Sequence, residues 1–136
     1  MDIIVGSSEK HLKSIMSPQV DFTKNPGAHI YFIKRKPLLL RRGERMYFCY
    51  DKKIYGYGIT IEVERIDNDL HAAFAGRLWK YKGKYAILWK ESNWYKRGIY
   101  CNVNIKFQRY KYFKLKKLLN GLPEPEIVKR KELTWT

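Results

Sequence analysis

Two short runs hold the residues whose types and spacing could do chemistry. In VDFTKN, Asp21 and Lys24 stand three apart, a carboxylate and an ammonium able to converge on one substrate, with His29 and Tyr31 approaching from the next strand. A general acid–base pair needs two such ionisable groups at the reacting atoms. In ESNWYKRG, Trp94, Tyr95, Lys96 and Arg97 follow one another. Flat rings stack on bases and cations neutralise phosphates, so ring-ring-cation-cation suits one nucleotide. The chain has no GxSxG, no Walker A and no HExxH. Exposed or salt-bridged polar residues at a strand end are the common outcome for a pair such as Asp21 and Lys24. No catalytic residue is therefore assigned, and those two stay only as candidates.

The second run belongs to a longer one. Residues 77–117 hold thirteen Lys or Arg, eleven Trp, Tyr or Phe, and a single acid, Glu91. The whole chain carries a net charge of +15, and the excess is uneven: residues 1–69 have 12 bases and 9 acids, residues 70–136 have 16 and 4. Self-repulsion on that scale opposes a compact state, and an anionic partner relieves it. The partner expected is RNA, or single-stranded or modified DNA, since exposed rings need unpaired bases. The cations expected at phosphates are Lys24, Lys34, Arg35, Arg41, Arg42, Lys80, Lys96 and Arg97. The stacking rings expected are Trp79, Trp94 and Tyr95, because Trp94 and Tyr95 fall in a polar stretch that reads as an irregular connection. Trp89 follows Tyr85 and Ile87 at period two and belongs to the core. Lys114, Lys116 and Lys117 need do no more than keep a helix face solvated.

Cys49 and Cys101 each lie in an apolar run and read as buried free thiols of a reducing compartment. There is no CxxC pair, and His11, His29 and His71 are scattered, so no metal site or cofactor is expected. No apolar run reaches the length of a membrane span, and MDIIVGSSEK lacks a signal-peptide layout, so the expected location is the cytoplasm. Oligomeric state is not legible.

The elements that must position these residues alternate in a mostly β pattern. Asp2 to Val5 reads as a short strand, and Ser7 or Ser8 caps a helix through Met16, stopped by Pro18. Ala28 to Ile33 and Met46 to Tyr50 read as strands. Asp51-Lys52-Lys53 is a tight hairpin into Ile54 to Ile66, where period two puts Tyr55, Tyr57, Ile59, Ile61 and Val63 on one face. Gly56 and Gly58 there imply a barrel bend or the close approach of another backbone or a ligand. Arg77 to Tyr81 and Lys84 to Lys90 read as strands, Glu91 to Gly98 as a connection, and Tyr100 to Gln108 as a strand with Cys101, Val103, Ile105 and Phe107 inward. Residues 111–119 take helical spacing, with Tyr112, Leu115, Leu118 and Leu119 on one stripe, ended by Asn120-Gly121. The fold expected is α+β: a small pseudo-barrel of six to eight mostly antiparallel strands with an early and a late helix. Residues 1–122 form the domain, and 123–136 a tail that packs on it or extends it.

Three pieces in order resemble the PUA-like superfamily, which includes the ASCH and EVE domains: DIIV with SSEKHLKSIMS and VDFTKN, then LLLRRGERMYFCY, then KKIYGYGITIEVERI. YCNVNIKFQRYKYFKLKKLL is similar to the late strand and basic helix of EVE-type domains, and an archaeal branch of the group looks closest. The resemblance spans residues 2–66 and 99–119. It implies a pseudo-barrel with a cleft between the first helix and the barrel, used for RNA or modified bases. The ASCH glycine after the helix is Pro18 here, and its lysine would fall near Val20, so the lysine on which the hydrolase members rely has no match and enzymatic activity is left open. The reading is thus a nucleic-acid binder. Its rivals are an ASCH-like hydrolase or ribonuclease acting on RNA or modified nucleosides, and a basic protein-interaction module.

Overall fold

Apolar residues at period two, broken by Gly, Asn and Asp turns, build a sheet-rich molecule. The computed structural model describes residues 1–9, 12, 28–66, 71–74, 77–80 and 84–129, with 71–80 as backbone only. Its elements are β1 (Ile3–Gly6), β2 (His29–Ile33), β3 (Arg45–Tyr50), β4 (Lys53–Arg65), β5 (His71–Phe74), β6 (Arg77–Lys80), β7 (Tyr85–Tyr100), β8 (Tyr110–Tyr112), helix α1 (Leu115–Leu119) and β9 (Ile127–Val128). One sheet runs β2-β7-β4-β3-β1-β8, with β9 added to β7, and β5 and β6 form a separate ribbon. β1 and β3 are parallel; the other pairings are antiparallel. Among the described residues no helix is long and apolar enough to cross a membrane.

The sheet curls into a half-barrel. β2 and β1 are separated by three strands in the sheet order, yet the buried Tyr31 of β2 donates its hydroxyl to the Gly6 carbonyl of β1. That hydroxyl also accepts the backbone N–H of Gln108 at 2.8 Å. A side chain, not a ladder, thus ties the edge strand β2 to β1. The inner face buries Ile3, Val5, Tyr31, Met46, Phe48, Ile87, Trp89 and Trp94. On the outer face lie Ile4, Tyr47, Cys49, Ile54, Tyr57, Tyr95, Cys101 and Leu115, with Phe113, Leu118 and Leu119 packed over them. Neighbouring residues of β1, β3 and β7 divide between these faces, as the pleat requires.

The β3–β4 hairpin turns on Asp51 (φ 48°) and Lys52 (φ 60°), two consecutive left-handed residues that match the strand twist. Period two does not survive along β4. Tyr55 and Val63 pack on the inner face, whereas Tyr57 and Ile59 pack on the outer one. The β4–β7 register shifts at Ile54/Gly56, Gly58/Thr60 and Thr60/Glu62. Between Thr60 and Glu62 β4 takes two residues against one on β7, an insertion that swaps the faces beyond it.

Three further expectations are corrected. Glu91 to Gly98 is part of the continuous strand β7. Its polar residues are accommodated because the indole N–H of buried Trp89 donates to Ser92 Oγ at 2.8 Å. Residues 101–106 keep their alternation, with Cys101 buried and Asn102, Asn104 and Lys106 exposed, but lie in no strand, and Phe107 is exposed. The late helix is only Leu115–Leu119, because Tyr110–Tyr112 is captured as β8 by β1. Asn120 (φ 50°) and Gly121 (φ 82°) end it in the left-handed conformation. Of the early helix, Glu9 and Leu12 are described and helical.

Candidate nucleic-acid interface

The quartet expected to form an exposed stacking loop is taken apart by β7. Trp94 is 3% exposed, and its ring stacks on Phe48 at 5.4 Å and 24°. Tyr95 is fully buried on the other face, and its hydroxyl donates to Glu124 Oε1 at 2.6 Å. Burial, joined by that carboxylate, pushes the Tyr95 hydroxyl well above the usual phenol range. Neither ring has a face to offer a base. The cause lies across the ladder: a Cβ on Gly56 would sit 2.4 Å from the Asn93 carbonyl and 2.9 Å from the Trp94 ring, and one on Gly58 2.6 Å from the Trp89 indole. The two glycines make room for two tryptophans. That pairing was the signal available in the sequence, although it does not say which ring would fill the gap.

Lys96 and Arg97 remain exposed. With Pro125 and Glu126 they line a shallow hollow of about 290 Å³. The Glu126 carboxylate lies 3.4 Å from Lys96 Nζ, and the Lys96 N–H donates to the Glu126 carbonyl at 2.9 Å. β9 holds the chain there, pairing Val128 with Trp94 and Ile127 with Tyr95. A second acid, Glu124, accepts from Arg45 Nη1 at 2.7 Å, and the Arg45 guanidinium lies 4.1 Å from the centre of the Tyr57 ring. Residues 124–128 therefore bring two carboxylates to this side of β7, which makes it poorer ground for a polyanion.

The exposed rings are elsewhere. Tyr100 is 61% exposed, Phe107 53% and Tyr112 37%. Phe107 rests edge-on against Tyr31, 6.0 Å between centroids at 65°. The Tyr110 hydroxyl donates to the Lys36 carbonyl at 3.3 Å, and the Leu39 N–H donates to the Tyr112 hydroxyl at 3.1 Å. Burial, followed by the Tyr112 hydroxyl, raises Tyr110 above the usual phenol range, against the pull of Arg35. The loop that follows β2 thus runs beside the edge strand β8. It carries Lys34, Arg35, Lys36, Arg41 and Arg42, all exposed, and β8 with its flanks adds Lys106, Arg109 and Lys111, also exposed. Two groups of cations far apart in sequence meet on one edge. At the far end of that loop Glu44 accepts from the Arg41 N–H at 2.7 Å and from the N-terminal ammonium, which holds its carboxyl below the usual range.

Asp21 and Lys24 lie outside the described residues, as do the side chains of Trp79 and Lys80, whose backbone pairs in the β5–β6 ribbon. Tyr31, considered as a partner for Asp21 and Lys24, is spent on the closure of the half-barrel. His29 is half-buried with its ring 5.6 Å from Trp89 and, among the described residues, no hydrogen-bond partner for its Nδ1, and burial lowers its pKa. Among the described residues no three His, Cys, Asp or Glu gather as a metal site. What the fold and the surface define is a sheet-rich half-barrel with a basic edge lined by exposed rings. The chain matches no protein-family model, no curated protein and no solved structure.

Proposed function

We propose that this chain is a nucleic-acid-binding protein, with RNA preferred to DNA, built as a PUA-like α+β pseudo-barrel. One observation carries the reading. From Ser92 to Pro123 there is no acid, and all eight Lys and Arg of that stretch are exposed, alongside Tyr100, Phe107 and Tyr112. Cations in that arrangement hold phosphates, and Phe107 and Tyr112 offer ring surface to unpaired bases. The loop cations Lys34, Arg35, Arg41 and Arg42 extend the same edge. Lys96 and Arg97 sit outside its centre, because Glu126 faces Lys96. The PUA-like assignment rests on the order of the three sequence pieces and on the curled sheet they enter.

The test is a titration of labelled single-stranded RNA, the same sequence as DNA, and a duplex, at several salt concentrations. Log affinity for RNA should fall linearly with log salt, by roughly 0.7 for each phosphate contacted. RNA should bind more tightly than the DNA of matched sequence. A flat salt response would remove the reading and leave a protein-interaction module.

A further inference from the structure

We propose that Cys49 and Cys101 form a redox-reactive pair that a hydroperoxide converts into an intramolecular disulfide. The two sulfurs lie 3.7 Å apart, both buried on the outer face of the sheet, although the residues are far apart in sequence. Each is held from a different direction. Cys49 belongs to β3 at the bulge that follows Phe48, and its thiol also lies 3.5 Å from the Val103 carbonyl. Cys101 follows the last residue of β7 and donates its backbone N–H to the Lys52 carbonyl at 2.8 Å. A disulfide requires the sulfurs to close to about 2.05 Å. The cysteine after β7 opens residues 101–106, which belong to no strand, so that side of the pair can move without breaking a ladder.

The pair is chemically asymmetric. The hydrogen bond between the two thiols lowers Cys101 below the usual thiol range and raises Cys49 above it. Cys101 is the less buried residue of the two, 5% exposed against 2% for Cys49, and it is also the better thiolate. Cys101 Sγ attacks one oxygen of the hydroperoxide, the O–O bond breaks, and the leaving oxygen departs as hydroxide. The resulting sulfenic acid is attacked by Cys49 Sγ, which forms the S–S bond and expels water. Two thiols lose two electrons in total, and one hydrogen peroxide becomes two waters. A dithiol reverses the bond by exchange. The consequence is a covalent tie between β3 and the start of the segment that carries Lys106, Phe107 and Arg109.

The experiment treats the native protein with hydrogen peroxide, quenches, alkylates free thiols and reads the intact mass and the non-reduced peptides. The expected product has lost two hydrogens, takes up no alkylating agent, yields one cross-linked peptide pair joining Cys49 to Cys101, and reverts with dithiothreitol. In C49S the sulfenic acid on Cys101 should persist and be trapped by a cyclic 1,3-diketone. Oxygen addition without a cross-link, a disulfide between molecules, or thiols that stay unreacted until the chain is unfolded would each overturn the proposal. Should C49S fail to fold, the wild-type mass and peptide data still decide it.

Discussion

Residues 85–95 and 100–112 hold four aromatic rings each and part ways in the fold. In the first, Trp89, Trp94 and Tyr95 are buried and Tyr85 packs against the inner core. In the second, Tyr100, Phe107 and Tyr112 are exposed, with Lys106, Arg109 and Lys111 beside them. The difference is the number of strands on either side. β7 has β4 along one edge and β2, then β9, along the other, and its rings pack into the apolar clusters on both faces of the sheet. Among the described residues β8 pairs with β1 alone, and 101–106 lie in no strand. Aromatic content therefore says that rings are available, while the side chains packed over each face of the sheet decide whether they become core or surface.

The sharpest way to break this comparison is Trp94→Ala. A tryptophan stacked on Phe48 inside the inner core should cost about 3–5 kcal/mol of stability when truncated, read from the denaturant midpoint. RNA affinity of the folded fraction should hold. A stable variant that has lost affinity would return Trp94 to the surface and undo the division between the regions.

Tyr31→Phe comes next and tests how the regions are joined. The ring stays, but the Gly6 carbonyl and the Gln108 N–H lose their shared hydroxyl. Leaving those buried groups unpaired should cost about 1–3 kcal/mol. Because Phe107 rests on Tyr31, exchange of the amides around 106–109 should accelerate more than that of β3 or β4. Uniform acceleration would mean that the closure is shared by other contacts.

Phe107→Ala should barely alter stability, under about 0.5 kcal/mol, since the ring is half in solvent. Affinity for single-stranded RNA should drop by about 1–3 kcal/mol if a base stacks there. An unchanged affinity would move the stacking role to Tyr112 or Tyr100.

Much of the scaffold was legible because its signals are local. Asp51-Lys52 announces a hairpin, Asn120-Gly121 announces a helix end, and short apolar runs mark β1, β2 and β3. The bulges in β4 were not legible, since a register shift depends on the partner strand, and they moved Tyr57 to the face opposite Tyr55. Ser92 and Asn93 read as a loop because their polarity is local, whereas the indole N–H that satisfies Ser92 comes from the fold. In the site, the cations were legible and the rings were not. A lysine cannot be buried without a partner, so composition alone exposes it. A tryptophan has no such constraint, and the glycines that admit it lie on another strand.

The smallest effect compares one cation from each region. Lys111 is exposed on the edge strand, within a stretch that contains no acid. Lys96 is equally exposed, but Glu126 lies 3.4 Å away and already supplies the negative charge a phosphate would bring. A phosphate approaching Lys96 must displace or face that carboxylate, whereas one approaching Lys111 meets other cations. Lys111→Gln should therefore reduce the salt slope of RNA binding by about 0.7, one phosphate contact, with stability unchanged. Lys96→Gln should leave the slope where it was, because an exposed ion pair contributes at most about 1 kcal/mol and releases no counterion from the nucleic acid. Equal slopes for the two variants would mean that the polyanion spans both sides of the molecule, and that Glu126 gives way when it binds.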